Sequence, residues 1–475
     1  MSDHQMSSHA VKGIDDTITQ VEVPEGPVVK RTRQTSYLDV LVQGVALFSD
    51  GYNIQVIGYM LTVLAKLYPK DTTGDVKTRL SNSILIGDIF GMLIFGYCID
   101  RFGRRLGVIL TTLFLVLGII IATASHGATI RGMYWMMVIG RGVAGVGAGG
   151  EYAVCTSQAL ECADGSERLR KKRGMLVAVS TNAAIIAGFV ASSIVSIIVV
   201  KAYNGNPSDG IWRICFGIGI ILPLTIFIFR MRLFDSTQYD KHAIQRKVPY
   251  KLALKYYWKP LIGACTAWFL YDVIIYPFNL LAPTLCTHQF LCSPRAFIGA
   301  FLMDRIGQKQ TYVLGWAMAA VFGFIIGGAM FKLQHVFPLF VVLYGLMQTC
   351  LSIGPGDCNF LVASESFPTP LRGHFLGFAA AIGKTGAAVG TSALTPVVSA
   401  FETKMEGQRV LFLIGSAISV LGTLVVWFLI PGHPDALEDG DVRFREYLEA
   451  NGYDTSHMGL KSGKHNEVFV TGPFN

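Results

Sequence analysis

The sequence predicts an all-helical membrane protein built from two sets of six helices, and three observations predict it. First, 52% of the 475 residues are hydrophobic and only 15% charged, with a mean hydropathy of +0.46. Soluble domains average about 25% charged residues, so the charge here cannot coat three soluble domains of roughly 150 residues each. Second, the apolar residues gather into twelve runs, and a bilayer is crossed by helices of about 20 residues. Third, a short motif recurs at equivalent places in the two sets. The 51 glycines would weaken an ordinary helical core, whereas in membrane helices glycine permits close packing. The same figures exclude disorder, collagen and coiled coil.

The first six runs lie near 38–65, 80–99, 106–126, 133–162, 175–200 and 212–233. The second six lie near 259–285, 295–304, 311–331, 336–363, 373–401 and 409–430. Residues 1–36 are polar and contain Val28-Val29-Lys30-Arg31-Thr32-Arg33. No apolar stretch comes early enough to be a cleaved signal peptide, so the first span is expected to serve as the targeting signal. The polar, basic segment 234–258 reads as a linker between an N-terminal bundle (37–233) and a C-terminal one (259–430). Residues 431–475 read as a short, polar and disordered tail.

The net charge of +8 is unevenly spread. Lys and Arg number 27 in the tails and even-numbered loops and 10 in the odd-numbered loops, with Arg141, Arg295 and Lys384 in or near spans. That bias places both termini and the linker in the cytoplasm of a multi-pass plasma-membrane protein. Arg168-Leu169-Arg170-Lys171-Lys172-Arg173 and the linker basics then face an anionic leaflet, not nucleic acid. The nine cysteines are scattered, most of them inside apolar runs (Cys98, Cys155, Cys265, Cys350), where cysteine acts as a small apolar residue. No spacing suggests a disulfide framework or a metal. No nucleophile–base pair or phosphate-binding loop suggests an enzyme, and no cofactor is expected.

The repeat is Gly96-Tyr97-Cys98-Ile99-Asp100-Arg101-Phe102-Gly103-Arg104-Arg105 and Gly299-Ala300-Phe301-Leu302-Met303-Asp304-Arg305-Ile306-Gly307-Gln308-Lys309. Both copies match G-x(3–4)-D-R-x-G-x-[RK]. Glycine allows a tight turn between helices, and Asp and Arg can make charge-assisted bonds between bundle ends. Gly96, Asp100, Arg101, Gly103, Arg104, Asp304, Arg305 and Gly307 are therefore candidate gate residues. The repeat resembles the major facilitator superfamily, which implies two six-helix bundles flanking a central cavity.

The halves differ in length. About 62 residues separate the start of the first span from Asp100, against about 45 from the start of the seventh to Asp304. The shortfall falls at Thr287-His288-Gln289-Phe290-Leu291-Cys292-Ser293-Pro294-Arg295, leaving Ala296 to Met303, too short for a hydrocarbon core of about 30 Å. A truncated eighth helix and about eleven full spans are expected. A lost segment, or coding sequence skipped in the gene model, is preferred to a re-entrant element.

An ionisable residue within a span is costly and normally faces a cavity or a partner. The spans hold Asp50, Asp88, Arg141, Glu151, Asp272, Asp357, Glu365 and Lys384. Asp39 suits a helix end that reaches water. Asp88 and Glu365 fit either reading, Glu365 lying beside Ser366-Phe367-Pro368-Thr369. Long apolar flanks make the helix-end reading poor for Arg141, Glu151 and Asp272. The fourth span reads Arg141-Gly142-Val143-Ala144-Gly145-Val146-Gly147-Ala148-Gly149-Gly150-Glu151-Tyr152. Gly145 and Gly149 fit small-xxx-small packing, and Arg141 is too far from Glu151 to pair with it along one helix. The seventh span stacks Trp268, Asp272 and Tyr276 at i, i+4 and i+8 on one face.

RGxxGxGxGGEY, the W-x3-D-x3-Y helix and Ser49-Asp50-Gly51-Tyr52 together resemble the fungal phosphate:proton symporter family, over most of residues 37–430. Within it, Arg141-to-Tyr152, Met231-Arg232-Leu233 and Glu365-Ser366-Phe367-Pro368-Thr369 look closest to the glycerophosphoinositol and glycerophosphocholine permeases. The resemblance implies proton-carrying carboxylates at Asp50 and Glu151. It implies ligand positions at Tyr152, Trp268, Asp272 and Tyr276, with Lys384 as the basic residue of the C-terminal half. Two positions depart from the inorganic phosphate carriers: their fifth-span glutamine is Asn182, and their tenth-span asparagine is Gly356. Both changes are expected to enlarge the cavity and favour a phosphodiester. The family's proline after the GG[DE]Y tyrosine is Ala153.

The resulting expectation is proton-coupled uptake of an anionic organophosphate by a monomer. Asp50, Glu151 and Asp272 would couple protons, while Lys384 and Arg141 meet the phosphoryl oxygens and Tyr152, Asn182 and Tyr276 hydrogen-bond the substrate. Alternatives are an inorganic phosphate:proton symporter, a non-transporting nutrient sensor, or the inactive product of a damaged gene model. A sugar carrier would show PESPR-like and PETKG-like signatures, in place of which stand Met231-Arg232-Leu233-Phe234-Asp235-Ser236 and Pro431-Gly432-His433-Pro434.

Overall fold

The computed structural model describes residues 37–102, 104–164, 167–230, 249–281, 298–333, 335–432, 437–456 and 458, and every long element in it is a helix. The first half holds α1 (Tyr37–Leu67), α2 (Gly74–Phe102), α3 (Arg104–Thr123), α4 (Ile130–Asp164) and α5 (Arg173–Ala202). Its last span, α6, is broken at Gly219-Ile220 into Asp209–Ile218 and Ile221–Arg230. The second half holds α7 (Tyr250–Leu281), α8 (298–306), α9 (Gln308–Leu333), α10 (Phe337–Glu365), α11 (Arg372–Ser399) and α12 (Lys404–Leu429). A further helix, α13 (Leu437–Ala450), follows.

Local chemistry sets these limits. Asp75 in the first turn of α2 and Arg101 in its last complement the helix dipole. Thr403 caps α12 by accepting from the Glu406 N–H at 3.2 Å, with glutamate three residues on, as in a capping box. Gly307 ends α8 at φ +91°, a left-handed conformation that only glycine adopts without strain, and its N–H closes the turn onto Met303 O at 3.1 Å. The glycine of the second motif copy is thus explained by the backbone.

Among the described residues, seven helices are long and apolar enough to cross a bilayer: α2, α3, α5, α7, α9, α10 and α12. The long helices α1, α4 and α11 fall short of that measure because they carry the polar interior. Phe90, Ile139, Ile198, Trp427 and Phe428 are exposed, whereas Asp50, Asp88 and Asp357 are fully buried. Polar inside and apolar outside is the pattern lipid demands. The halves meet where α2 crosses α11: a Cβ on Gly377 would lie 2.3 Å from Met92 O, so nothing larger than glycine fits that crossing.

The structure departs from the sequence reading at two places and adds a third feature that the sequence did not predict. Residues 250–258 of the expected linker are the first turns of α7. Residues 437–450 of the expected disordered tail are α13, with Leu437, Phe444 and Leu448 buried; a polar average conceals an apolar stripe at helical spacing. Both α5 and α10 contain a π-helical turn, at Val179–Ala183 and Ser352–Gly356. The expected lesion at 287–295, together with Met231-Arg232-Leu233, Gly103 and the Arg104 side chain, lies outside the described residues.

Candidate substrate site and interhelical clasp

Lys384 of α11 is the centre of the polar interior. It is buried, donates to the Tyr276 hydroxyl of α7 at 2.7 Å, and sits 5.1 Å from the ring centroids of both Tyr276 and Tyr152 of α4. Asp272 and Asp88 lie within its electrostatic range. The i, i+4, i+8 stack on α7 holds: Tyr276 meets Lys384, Asp272 is buried one turn away, and Trp268 packs on Gly383. Phe360 of α10 closes the aromatic wall, 5.6 Å from Tyr152 and 4.9 Å from Trp268. A cation ringed by π faces and phenols is a place to receive an anion with an apolar or hydroxylated flank.

The other expected groups divide into two sets. Asp50 of α1 is in electrostatic range of Tyr152 and so borders the centre. Glu151, next along α4, turns to α3, where Thr112 donates to it at 3.5 Å. Arg141 is also apart from the centre. Its Nε donates to Leu80 O at 3.0 Å, its Nη1 to Asn53 O at 3.4 Å, and its guanidinium lies 5.8 Å from the Phe216 ring centroid. Asp88 is no helix-end residue: it is fully buried between the charges of Lys384 and Arg141.

Asn182 and Asp357 meet across the halves, each at a π-turn, with Asn182 Nδ2 donating to Asp357 Oδ1 at 2.6 Å. π-turns recur at functional sites because they re-aim side chains. The expected enlargement at Gly356 is absent in this conformation. A Cβ there would stand 3.0 Å from Asn182 Nδ2 and 3.1 Å from the Tyr271 hydroxyl, so neighbouring polar groups already fill the space.

The motif aspartates cap helices of the opposite half. Asp100 accepts from the Gly373 and His374 N–H groups at 3.2 and 2.8 Å and from His374 Nδ1 at 2.6 Å, at the start of α11. Asp304 accepts from the Met175 N–H at 3.3 Å, at the start of α5. Helix N-termini favour such anions. Gly96 lies in the same α2–α11 crossing, 2.6 Å from Gly373 O by its missing Cβ. Arg101 and Arg305 are exposed, Arg305 lying 4.9 Å from the Phe301 ring centroid.

Sequence reasoning missed the strongest contacts at this end. Glu161 of α4 pairs with Arg372 of α11 at 3.1 Å, both sealed from solvent. Arg173 of α5 pairs with Asp164 at 3.1 Å and Glu365 at 2.5 Å. Glu365, left open between cavity and helix end, thus belongs to this clasp. A signal existed: Glu161…Arg173-Gly174 around the end of the fourth span repeats as Glu365…Arg372-Gly373 around the end of the tenth. The repeats exchange partners, each glutamate pairing with the other half's arginine.

This fold and interior are those of a membrane transporter of the major facilitator superfamily. The profile of the sugar (and other) transporter family matches residues 40–247 and 295–433, and the chain belongs to that family. It is 38% identical over 437 residues to glycerophosphoinositol permease 1 of Candida albicans, covering 88% of this chain and 82% of that one. It is 34% identical over 452 residues to glycerophosphoinositol transporter 1 of Saccharomyces cerevisiae, covering 91% and 86%. The E. coli proton:xylose symporter XylE, solved with 6-bromo-6-deoxy-D-glucose, superposes with a TM-score of 0.70 at 18% identity, covering 85% of this chain and 98% of that one.

Proposed function

We propose that the chain is a proton-coupled symporter that imports a glycerophosphodiester across the plasma membrane by alternating access. The carrying observation is Lys384: a buried cation from one half, bonded to a neutral phenol and ringed by aromatic groups from both halves. A phosphodiester anion would replace the phenol contact with a charge-assisted one. Tyr152 and Tyr276 would donate to its oxygens, Trp268 and Phe360 would line its alcohol group, and Asn182 would bond it after leaving Asp357. The names of the two yeast relatives support this substrate class.

Proton coupling follows from the acids beside that cation. An incoming anion draws on the charge of Lys384, and buried carboxylates then favour their neutral form. Asp272 and Asp50 border the cluster, and Glu151 lies behind it on α4. The basic end, with both termini, would face the cytoplasm. The motif caps and exchanged ion pairs would hold that end shut in a monomer and part as it opens. The test is uptake of labelled glycerophosphoinositol, glycerophosphocholine and inorganic phosphate in cells lacking their own carriers. Proton-dependent phosphodiester uptake is expected, abolished by Glu151→Gln and by Asp272→Asn. Uptake of inorganic phosphate alone would assign the rival substrate. Normal coupled uptake in both variants would sink the coupling scheme, and ligand-dependent signalling without flux would make the protein a sensor.

A further inference from the structure

We propose that Asp88 is the counter-ion of Lys384 in the unloaded carrier and thereby allows the empty protein to change conformation. The inference rests on the reading above, that Lys384 receives an anionic cargo. Asp88 lies midway along α2, fully buried, and neither of its carboxylate oxygens has a hydrogen-bond partner among the described residues. Its backbone is pinned against α4: a Cβ on Gly149 would stand 2.1 Å from Asp88 O, and one on Gly145 3.0 Å from Asp88 N. Helix packing fixes where the carboxylate sits, and charge alone is left to balance it.

A buried carboxylate without hydrogen bonds is strongly unfavourable unless cations compensate it. Two cations in electrostatic range oppose that cost, Lys384 of α11 and Arg141 of α4. The other titratable groups around this set are Tyr152 of α4, Tyr271, Tyr276 and Asp272 of α7, and Asp50 of α1. Arg141 is tethered to the Leu80 and Asn53 carbonyls, so it stays with the N-terminal half. Lys384 belongs to the other half and must cross the cycle both loaded and empty. Loaded, its charge is met by the phosphodiester. Empty, it would be a buried cation with less compensation, and a facing acid supplies the balance. Asp272 sits on α7 and moves with Lys384, whereas Asp88 acts on it electrostatically from the facing half. Because the halves rock about the central site, a counter-ion from the facing half holds Lys384 through the empty crossing.

The expectation is a split between two fluxes in proteoliposomes. Net uptake needs the empty return step, whereas exchange of labelled for unlabelled glycerophosphoinositol uses loaded carriers alone. In Asp88→Asn, net uptake falls at least ~30-fold while exchange changes less than ~3-fold, since only one conformational step is slowed. A second readout needs no substrate: distance measurements between spin labels at the two ends of the ligand-free protein. Asp88→Asn should trap one conformation, and Asp88→Asn combined with Lys384→Gln should restore interconversion. Equal loss of exchange and net uptake, or unchanged interconversion in Asp88→Asn, overturns the proposal. If Asp88→Asn does not fold, recovery of folding in the double variant is expected, and its absence overturns the proposal too. Should the unaltered protein not exchange glycerophosphoinositol, the cargo reading fails, and the spin-label measurement still decides the role of Asp88.

Discussion

The centre of the molecule and its basic end both bury charge, but they balance it in opposite ways. At the basic end each charge meets its partner within bonding distance: Glu161 with Arg372, Arg173 with Asp164 and Glu365, and Asp100 with His374 and the first turn of α11. At the centre Lys384 bonds a neutral phenol, and oxygens of Asp88, Asp272 and Asp357 lack hydrogen-bond partners among the described residues. Breaking one partner of a buried pair costs about 3–5 kcal/mol, so a clasp of paired charges holds a conformation. An unsaturated centre is poised for a ligand. The comparison separates what closes the carrier from what waits for cargo.

The largest effect is expected at the centre. Lys384→Gln keeps the shape of the side chain and removes the charge that would meet the anion. Losing a buried charge-assisted bond of about 3 kcal/mol lowers substrate affinity ~100-fold, measured as binding of glycerophosphoinositol to purified protein. The clasp should be untouched, so labelling of cysteines introduced at the closed basic end should not quicken. A variant that binds normally would remove Lys384 from the site.

The clasp predicts the reverse pattern. Glu161→Gln removes the charge facing the sealed Arg372, whose other partners among the described residues, Ser364 O and the Thr369 hydroxyl, are neutral. A destabilisation of about 3 kcal/mol is expected for the closed basic end, read as faster labelling of cysteines introduced there. Replacing both partners by methionine should cost less than either single change, because no orphaned charge remains. A double variant as damaged as the singles would make the pair a net source of stability, not an exchanged lock.

Much of this was legible in the sequence, for reasons that particular residues expose. Twelve apolar runs and the G-x(3–4)-D-R-x-G-x-[RK] repeat encode the fold, since lipid admits few alternatives and the repeat marks the halves. Lys384, Asp272 and Tyr276 stood out because a polar residue deep in an apolar span has few structural excuses. Glu161, Arg173 and Arg372 did not, because charges near helix ends resemble solvated loop residues. Only tertiary folding sets each glutamate against the other half's arginine. Arg141 looked like a site residue on the same ground as Lys384, yet its donors go to the carbonyls of Leu80 and Asn53. Depth in a span shows that a charge has a partner and is silent on which one.

The smallest effect tests how far the clasp extends. Asp441 of α13 accepts from the Thr369 N–H at 2.6 Å and from its hydroxyl at 2.5 Å, and that hydroxyl also accepts from Arg372 Nη2 at 3.1 Å. The terminal helix is therefore linked through one threonine to the Glu161–Arg372 pair. Its apolar side rests on the same end, with Phe444 5.4 Å from Tyr257 and Tyr447 4.6 Å from Tyr256 between ring centroids. Asp441→Ala removes two hydrogen bonds accepted by a carboxylate, while leaving the aromatic contacts in place. A loss of about 1–2 kcal/mol in the closed state is expected, smaller than for Glu161→Gln and in the same direction. Coupling is the sharper readout: the cost of Asp441→Ala should shrink when Arg372 is already replaced by methionine, because residues sharing a network do not add. Strict additivity would detach α13 from the clasp and leave it a helix that only packs against the closed end.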